Sequence, residues 1–423
     1  MVVIVYSAFL FLVAIMVFYL VRHYLFSLTA LYKRKGQSFY ALHGLSFRPT
    51  VTILIPAKDE EAVLGRLLHR ITELTYPKEQ MDVIVIDDAS TDDTGRIADE
   101  FAEACSYFKV VHRSIGVGGK GKSSALNQAL GHAKGEILIC FDADYYPQVD
   151  IIEKLTAYFA DPEVGAVQGR VTVLNEHSSW VSRLAALERT GGYRVDQLAR
   201  DDLGLIPQYG GTVCGVRRDL IESLGGWDTE ALTEDTDLTF RVYLAGYKVR
   251  YVNEAECYEE VIETWSAYWR QRHRWAKGHM QCCFKHFIPL VKSRNLRLRE
   301  KIDGVLLLNV YFVPIVVGLS WLLGAAIFFL WPTSWFDSIW NLLPVFLYSS
   351  VGNFALFFEV GVAVYLDGRV RLGLLIPLLL FSFVFNTLIC FKALLDLCYS
   401  KIVGKKMHGW AKTLHNGGKT NWP

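Results

Sequence analysis

At 423 residues the chain can hold one large domain plus membrane segments, because a single hydrophobic core stops growing near about 250–300 residues. The formal charge of +1 hides a split, with charged residues crowded between Lys33 and Lys301 and sparse in the flanking apolar stretches. No acidic or basic tail points to nucleic acid, and the eight cysteines contain no CxxC pair, which argues against a zinc knuckle or a disulfide framework.

Residues Val2 to Leu20 form an apolar run without a charge, long enough to span a bilayer as a helix at about 1.5 Å per residue. With no clear basic start or cleavage site, a retained anchor within 1–28 is expected rather than a secretory signal. Arg22, Lys33, Arg34, Lys35 and Arg48 follow it, so the positive-inside rule places the next domain, 29–258, in the cytoplasm.

From Val51 a strand, turn and helix pattern repeats. Val51 to Pro56 reads as a buried strand, and Glu61 to Leu74 puts Leu64, Leu67, Leu68 and Ile71 on one helical face. Met81 to Ile86 is a second strand, followed by a helix that Ser90 or Thr91 can cap. Lys109 to His112 is a third strand, Ser123 to His132 a helix, and Ile137 to Phe141 a fourth strand. Such alternation implies an α/β fold with a mostly parallel sheet, whose ligand crevice lies beyond the carboxyl ends of the strands. Asp59, Asp87, Asp88, Asp142 and Asp144 all fall at or just after such ends.

Between 259 and 303 the chain turns aromatic and basic, as amphipathic helices at a membrane surface would. Three long apolar segments follow within 304–400: Val305 to Leu330, Ile339 to Leu366 and Leu372 to Tyr399. Three crossings would leave the tail, 401–423, outside, whereas Lys401, Lys405, Lys406 and Lys412 argue for a cytoplasmic tail. One segment is therefore expected to be re-entrant, interfacial or a hairpin. Glu359 and the Lys392/Asp396 pair single out the last two, since ionisable groups at membrane depth face protein or a polar cavity.

Four motifs carry chemistry. Asp142-Ala143-Asp144 offers two carboxylates at a strand end, able to approach one hard cation such as Mg²⁺ or Mn²⁺ beside a diphosphate; an isolated D-x-D would more often be two solvated loop acids. Glu234-Asp235 supplies a carboxylate within reach of an acceptor hydroxyl, a role assigned to Asp235, although Thr233, Glu234 and Asp235 could simply cap a helix. Gln271, Arg274 and Trp275 share one helical face, where a guanidinium can meet phosphate and an indole can stack on a sugar ring, or merely anchor the helix in the membrane. The run Gly116 to Lys122 lacks P-loop spacing and leaves Lys122 beside a helix start as its residual phosphate signal. His112, His132 and His177 show no metal-ligand spacing, and Cys140 and Cys214 read as small buried hydrophobes.

At these residues the chain resembles the processive inverting glycosyltransferases of family 2, the group containing cellulose, chitin, hyaluronan and poly-N-acetylglucosamine synthases, over roughly Thr52 to Gly278. The resemblance implies a GT-A-like catalytic domain inserted between transmembrane helices. It implies that Asp59, Asp88, Lys122 and Asp142 serve the nucleotide and that Asp144 holds Mg²⁺ or Mn²⁺. Asp235 would be the base, with Glu234, Gln271, Arg274 and Trp275 closing over diphosphate and acceptor. Trp410 to Thr413 resembles a tail motif that covers the nucleotide, though His415 stands where arginine is frequent, as Asp59 stands where asparagine is. No PilZ-like extension is read, so control by a cyclic dinucleotide within the chain is not expected. The expected activity is polymerisation of UDP-N-acetylglucosamine or UDP-glucose into a β-linked glycan at a bacterial plasma membrane. The expected partners are a UDP-sugar, a growing glycan and the bilayer, with room for an accessory subunit and no nucleic acid. The alternatives are a non-processive enzyme that glycosylates a lipid, and a transport or scaffold protein with a degenerate domain.

Overall fold

The computed structural model describes residues 2–32, 47–330 and 353–404. After an apolar helix α1 (Val2–Tyr32), strands and helices alternate as β1 (Val51–Ala57), α2 (Leu64–Thr72), β2 (Met81–Asp87), α3 (Thr94–Ala104), β3 (Phe108–His112), α4 (Lys122–Leu130) and β4 (Ile137–Cys140). These strands pair in parallel in the order β3-β2-β1-β4. Their second-position alternation feeds two cores. Ile53, Ile55, Val83, Val85, Ile137 and Ile139 pack on the side of α2 and α3, while Leu54, Ile84, Ile86, Leu138 and Cys140 pack on the side of α4. Burial on both faces explains the unbroken apolar runs at 53–55, 83–86 and 137–140, whereas the edge strand β3 carries Lys109 and His112.

The second half adds β5 (Tyr146–Pro147), α5 (Ile151–Ala157), β6 (Val164–Val173), α6 (Trp180–Gly191), a π-helical turn Gly192–Gln197, α7 (Leu198–Asp202), β7 (Cys214–Arg217), α8 (Arg218–Ser223), α9 (Glu234–Leu244) and β8 (Lys248–Glu259). The sheet continues as β7-β6-β8-β5. β7 is antiparallel to both β4 and β6, β5 is antiparallel to β8, and β6 runs parallel to β8. The product is a mostly parallel, mixed sheet of eight strands.

Local details differ from the expected starts of helices. The helix expected from Glu61 begins at Leu64, because the Glu60 carbonyl first closes a turn with Val63 and Leu64, and the Glu61 carboxylate accepts from the Asp93 amide at 3.0 Å. Neither Ser90 nor Thr91 caps α3. Ser90 Oγ accepts from the Asp59 amide at 3.0 Å and the Thr91 amide donates to Asp59 Oδ1 at 2.6 Å, so these residues join two loops instead. Thr233 stands at the N-cap of α9 but makes no capping bond there; its hydroxyl meets Cys282 Sγ at 3.6 Å.

The last third comprises α10 (Trp265–Lys292), α11 (Leu298–Leu308), α12 (Val313–Leu330), α13 (Asn353–Leu366), α14 (Val370–Gly373) and α15 (Leu379–Val403). α10 starts where Thr264 Oγ1 accepts from the Ala267 amide at 3.3 Å, a cap of the ordinary kind. Among the described residues three stretches are long and apolar enough to cross a membrane: Ser7–Tyr32, Val310–Ile327 and Ile376–Val403. Of the segment expected from Ile339 to Leu366, only the part from Asn353 onward is described, and the Trp410 to Thr413 motif and His415 lie outside the described residues.

Charged clamps join these helices to the sheet domain. Arg22 of α1 pairs with Asp196, which pairs with Arg200 at 2.5 Å, and Arg200 with Asp303 of α11 at 2.5 Å. Glu359 of α13 pairs with His23 of α1, as a carboxylate among apolar helices requires. The turn after α13 docks by Asp367 on Arg170 of β6 at 2.7 Å and on Arg194 at 2.9 Å. Farther on, Asp396 of α15 lies 2.9 Å from His273 of α10. The approach to α15 is thus tied to the sheet domain and its later turns to α10.

Candidate active site

The carboxyl ends of β1, β2 and β4, the start of α9 and one face of α10 enclose a cavity of about 710 Å³. It takes in Asp88, Lys122, Asp142, Asp144, Glu234, Asp235, Gln271, Arg274 and Trp275, so nine of the ten residues to which the family resemblance gives a role meet in one place. Asp59 is the exception and does not line the cavity. Its backbone sits at φ 49°, and its Oδ1 accepts from the Thr91 amide and hydroxyl, holding the loop that carries Asp88. Asp87 also turns away and binds His112 Nδ1 at 2.9 Å.

Each side chain is held by its surroundings. Asp88 is buried, ion-paired to Arg113, and accepts from the Gly119 amide at 2.9 Å. That contact requires the glycine-rich loop to lie flat on it: a Cβ at Gly118 would stand 2.8 Å from Ala89 Cβ and 3.1 Å from Asp88 Oδ1. Lys122, the first residue of α4, pairs with Asp142 and donates to the Gly211 carbonyl at 2.8 Å. Burial opposes its charge, but Asp142 and Glu234 more than offset this and its pKa rises, so it stays a cation. The Asp142 amide donates to Thr212 Oγ1 at 3.0 Å, and the Arg66 guanidinium holds the Asp144 carbonyl at 3.2 Å.

Asp235 sits on the first turn of α9, where its Oδ1 accepts from the Thr236 amide at 2.6 Å. Burial first, and the neighbouring Glu234 charge second, push its carboxyl up to about 6. A carboxylate tuned in this way is ionised near neutral pH yet more basic than an ordinary aspartate, which suits a proton acceptor. Arg274 forms no ion pair among the described residues, so its charge is available to an incoming anion. Trp275 has two guanidinium carbons near its ring, Arg189 at 5.0 Å and Arg272 at 4.4 Å from the centroid.

Several lining residues were not read from the sequence. Lys58 stands beside Asp88 and donates to its carbonyl at 3.0 Å. Glu259 and Glu260 end β8 as Asp142 follows β4; Glu259 pairs with Arg189 at 2.6 Å and accepts from the Tyr145 hydroxyl at 2.7 Å, and Glu260 pairs with Arg66 at 2.9 Å. The strand-end rule that drew attention to the aspartates applies equally to these two glutamates, once β8 is recognised.

At its other end the same cavity runs between the apolar helices, where Pro314 of α12, Leu356 and Glu359 of α13 and Ser382 and Asn386 of α15 line it. Two carboxylates at the end of β4 fit a cation that takes only part of its shell from protein; the described residues hold no group of three or more acidic, histidine or cysteine side chains placed to bind a metal alone.

A family profile described as "Glycosyltransferase like family 2" matches residues 49–278. Among curated proteins, a probable glycosyltransferase, YdaM, of Bacillus subtilis is 38% identical over 59% of this chain and 60% of its own length. A beta-monoglucosyldiacylglycerol synthase of Nostoc is 36% identical over 63% of this chain and 56% of its own length. A poly-beta-1,6-N-acetyl-D-glucosamine synthase of Staphylococcus epidermidis is 27% identical over 59% of each chain. This chain therefore matches less than two thirds of the length of these relatives. A mannosyltransferase of Pyrobaculum calidifontis, solved with GDP-mannose and Mn²⁺, shares the fold with a TM-score of 0.54 at 23% identity, covering 84% of this chain and 98% of that one.

Proposed function

The chain belongs to glycosyltransferase family 2, and from that premise we propose that it is a membrane-bound, processive, inverting enzyme that builds a β-linked polysaccharide from UDP-N-acetylglucosamine or UDP-glucose. The observation that carries this reading is the single cavity that contains Asp142, Asp144 and Asp235 at one end and runs between α12, α13 and α15 at the other. A donor at the strand ends and an acceptor reaching in from the membrane helices would meet at Asp235.

In this reading the uridine diphosphate lies by Asp88 and Lys122, with Arg274 on its phosphates. Asp144, with Asp142 beside it, would hold Mg²⁺ or Mn²⁺; when bound, the ion neutralises charge that builds on the departing diphosphate. Asp235 accepts the proton of the acceptor hydroxyl as the acceptor oxygen bonds to the anomeric carbon and the carbon to phosphate-oxygen bond breaks. Attack from the face opposite the diphosphate inverts the centre, and no covalent sugar-enzyme intermediate is needed. Trp275 and Gln271 form the acceptor wall. The sheet domain faces the cytoplasm of a bacterium, and one of the last two apolar segments, which carry Glu359 and the Lys392/Asp396 pair, does not cross, so that the tail lies on the same side.

A second reading, transfer of one sugar to a diacylglycerol-type lipid, is favoured by the Nostoc relative and by apolar lining at the membrane end, including Val310, Leu356, Val360 and Phe383. The test is incorporation of labelled UDP-N-acetylglucosamine and UDP-glucose by the full chain in membranes with Mn²⁺ or Mg²⁺, beside Asp235→Asn. A metal-dependent polymer absent in the variant supports the synthase. A lipid bearing one sugar supports the second reading, and no transfer from either donor refutes both.

A further inference from the structure

Glu188 lies on α6, outside every motif considered above, yet it lines the cavity. Its Oε1 accepts from the Tyr268 hydroxyl at 2.7 Å and from the Ser382 hydroxyl, and its Oε2 accepts from Arg272. Asn386 closes the group by donating to the Tyr268 hydroxyl at 3.0 Å and to Ser382 Oγ at 3.1 Å. One carboxylate thereby joins α6, α10 and α15. Three donors already occupy its two oxygens, so Glu188 is committed to protein and is not a group held ready for substrate.

The other end of this cluster is Trp275. The Arg272 guanidinium that Glu188 holds lies 4.4 Å from the Trp275 centroid and 5.0 Å from that of Tyr268. The next residue of α6, Arg189, lies 5.0 Å from the same indole and is held by Glu259 at 2.6 Å. Of two adjacent residues of one helix, Glu188 thus holds one cation beside the ring and Arg189 is the other, and a guanidinium held at a ring face restricts its tilt. We propose that Glu188 is a positioning residue, which through Arg272 sets the orientation of Trp275 and with it the acceptor. This rests on the reading of Trp275 as acceptor wall.

Among the described residues Glu188 is the carboxylate paired with Arg272. In Glu188→Gln the shape is kept, but the guanidinium loses its counter-charge, and the amide oxygen can stay on Arg272 only if the amide nitrogen faces the two hydroxyls and they turn from donating to accepting. Held by a neutral acceptor in place of a carboxylate, Arg272 is fixed less firmly beside the indole.

The experiment uses the full chain in lipid nanodiscs, as wild type, Glu188→Gln and Glu188→Asp. Labelled UDP-N-acetylglucosamine and UDP-glucose report transfer, calorimetry reports UDP binding with Mn²⁺, and Trp275 emission is taken as the difference made by Trp275→Phe in each background. Glu188→Gln is expected to lower transfer about 10- to 100-fold, the scale of a small misplacement of reactants, with UDP affinity kept within about twofold and the difference emission shifted. Glu188→Asp restores part of both. Wild-type transfer with unshifted emission in Glu188→Gln overturns the proposal, and so does loss of UDP binding together with a lowered melting temperature, which would make the role purely structural. If wild type transfers neither sugar, the donor reading has failed, and the emission shift alone supports or overturns the positioning role.

Discussion

Lowering the pH of a transfer assay from 7 to 5 should cut the rate about tenfold, through Asp235. Its carboxyl is raised to about 6 by burial and by Glu234. At that value about 90% of the molecules carry the ionised base at pH 7 and about 10% at pH 5, whereas an ordinary aspartate near 3.9 would stay about 90% ionised at pH 5. Only the ionised form can accept the hydroxyl proton, so activity falls as pH drops through 6. The stability effect of this group has the opposite sign. A raised carboxylate pKa means the charge is disfavoured in the fold, and protonation near pH 6 relieves that, so the melting temperature should not fall alongside activity. Glu234→Gln removes the second cause and should move the acid limb to lower pH. The assay is the initial rate of sugar transfer at saturating donor and fixed metal, with thermal unfolding followed at each pH. A limb that stays near pH 4 in the wild type, or one that Glu234→Gln does not move, would refute the assignment of Asp235 as base.

Two further outcomes follow from the packing. Asp237 is fully buried and accepts from Arg241 Nε at 2.6 Å, Lys285 Nζ at 2.6 Å and His286 Nε2 at 2.7 Å. Asp237→Asn should destabilise the chain by about 3–5 kcal/mol in thermal or denaturant unfolding; a loss below about 1 kcal/mol would show that water replaces those partners. Although burial opposes its charge, His286, Lys285 and Arg241 hold its carboxyl well below the usual range. Its contribution is therefore present above the unfolded value near about 3.9 and is lost as pH falls below it. Gly118→Ala, whose methyl would meet Ala89 and Asp88, should weaken UDP binding about tenfold by lifting the loop from Asp88. Unchanged calorimetric affinity would detach that loop from the donor site.

The features legible in the sequence are those written in local spacing. Three strands with unbroken apolar runs, the acids at the strand ends, and the common face of Gln271, Arg274 and Trp275 all follow from period and turn chemistry, and all but Asp59 and Asp87 among the chosen residues line the cavity. What escaped was written across distance. β8 carries Lys248, Arg250 and Glu254, so it does not look like a buried strand; Arg250 is neutralised by Asp201, 49 residues away, at 2.7 Å. Glu188 is separated from Arg272 by 84 positions and Arg22 from Asp196 by 174, and neither pair leaves a periodic trace. Ser90 was misjudged as a cap for a related reason. It was weighed for the helix that follows it, whereas it and Asp59 bond to each other's loops.

On the processive reading, the docking of Asp367 on Arg170 and Arg194 would limit how a product advances. Arg170 belongs to β6, in the middle of the sheet's second half, and Arg369, two residues beyond Asp367, pairs with Glu176 just after that strand. The turn between α13 and α14 is thus riveted to the same rigid plate that carries the aspartates. If the chain is processive, helices fastened in this way would serve as fixed walls and not as a piston. Each added sugar would have to slide along stationary walls, pushed by the next transfer at Asp235, so the stroke of the machine would be one sugar long and set by chemistry at the base of the cavity.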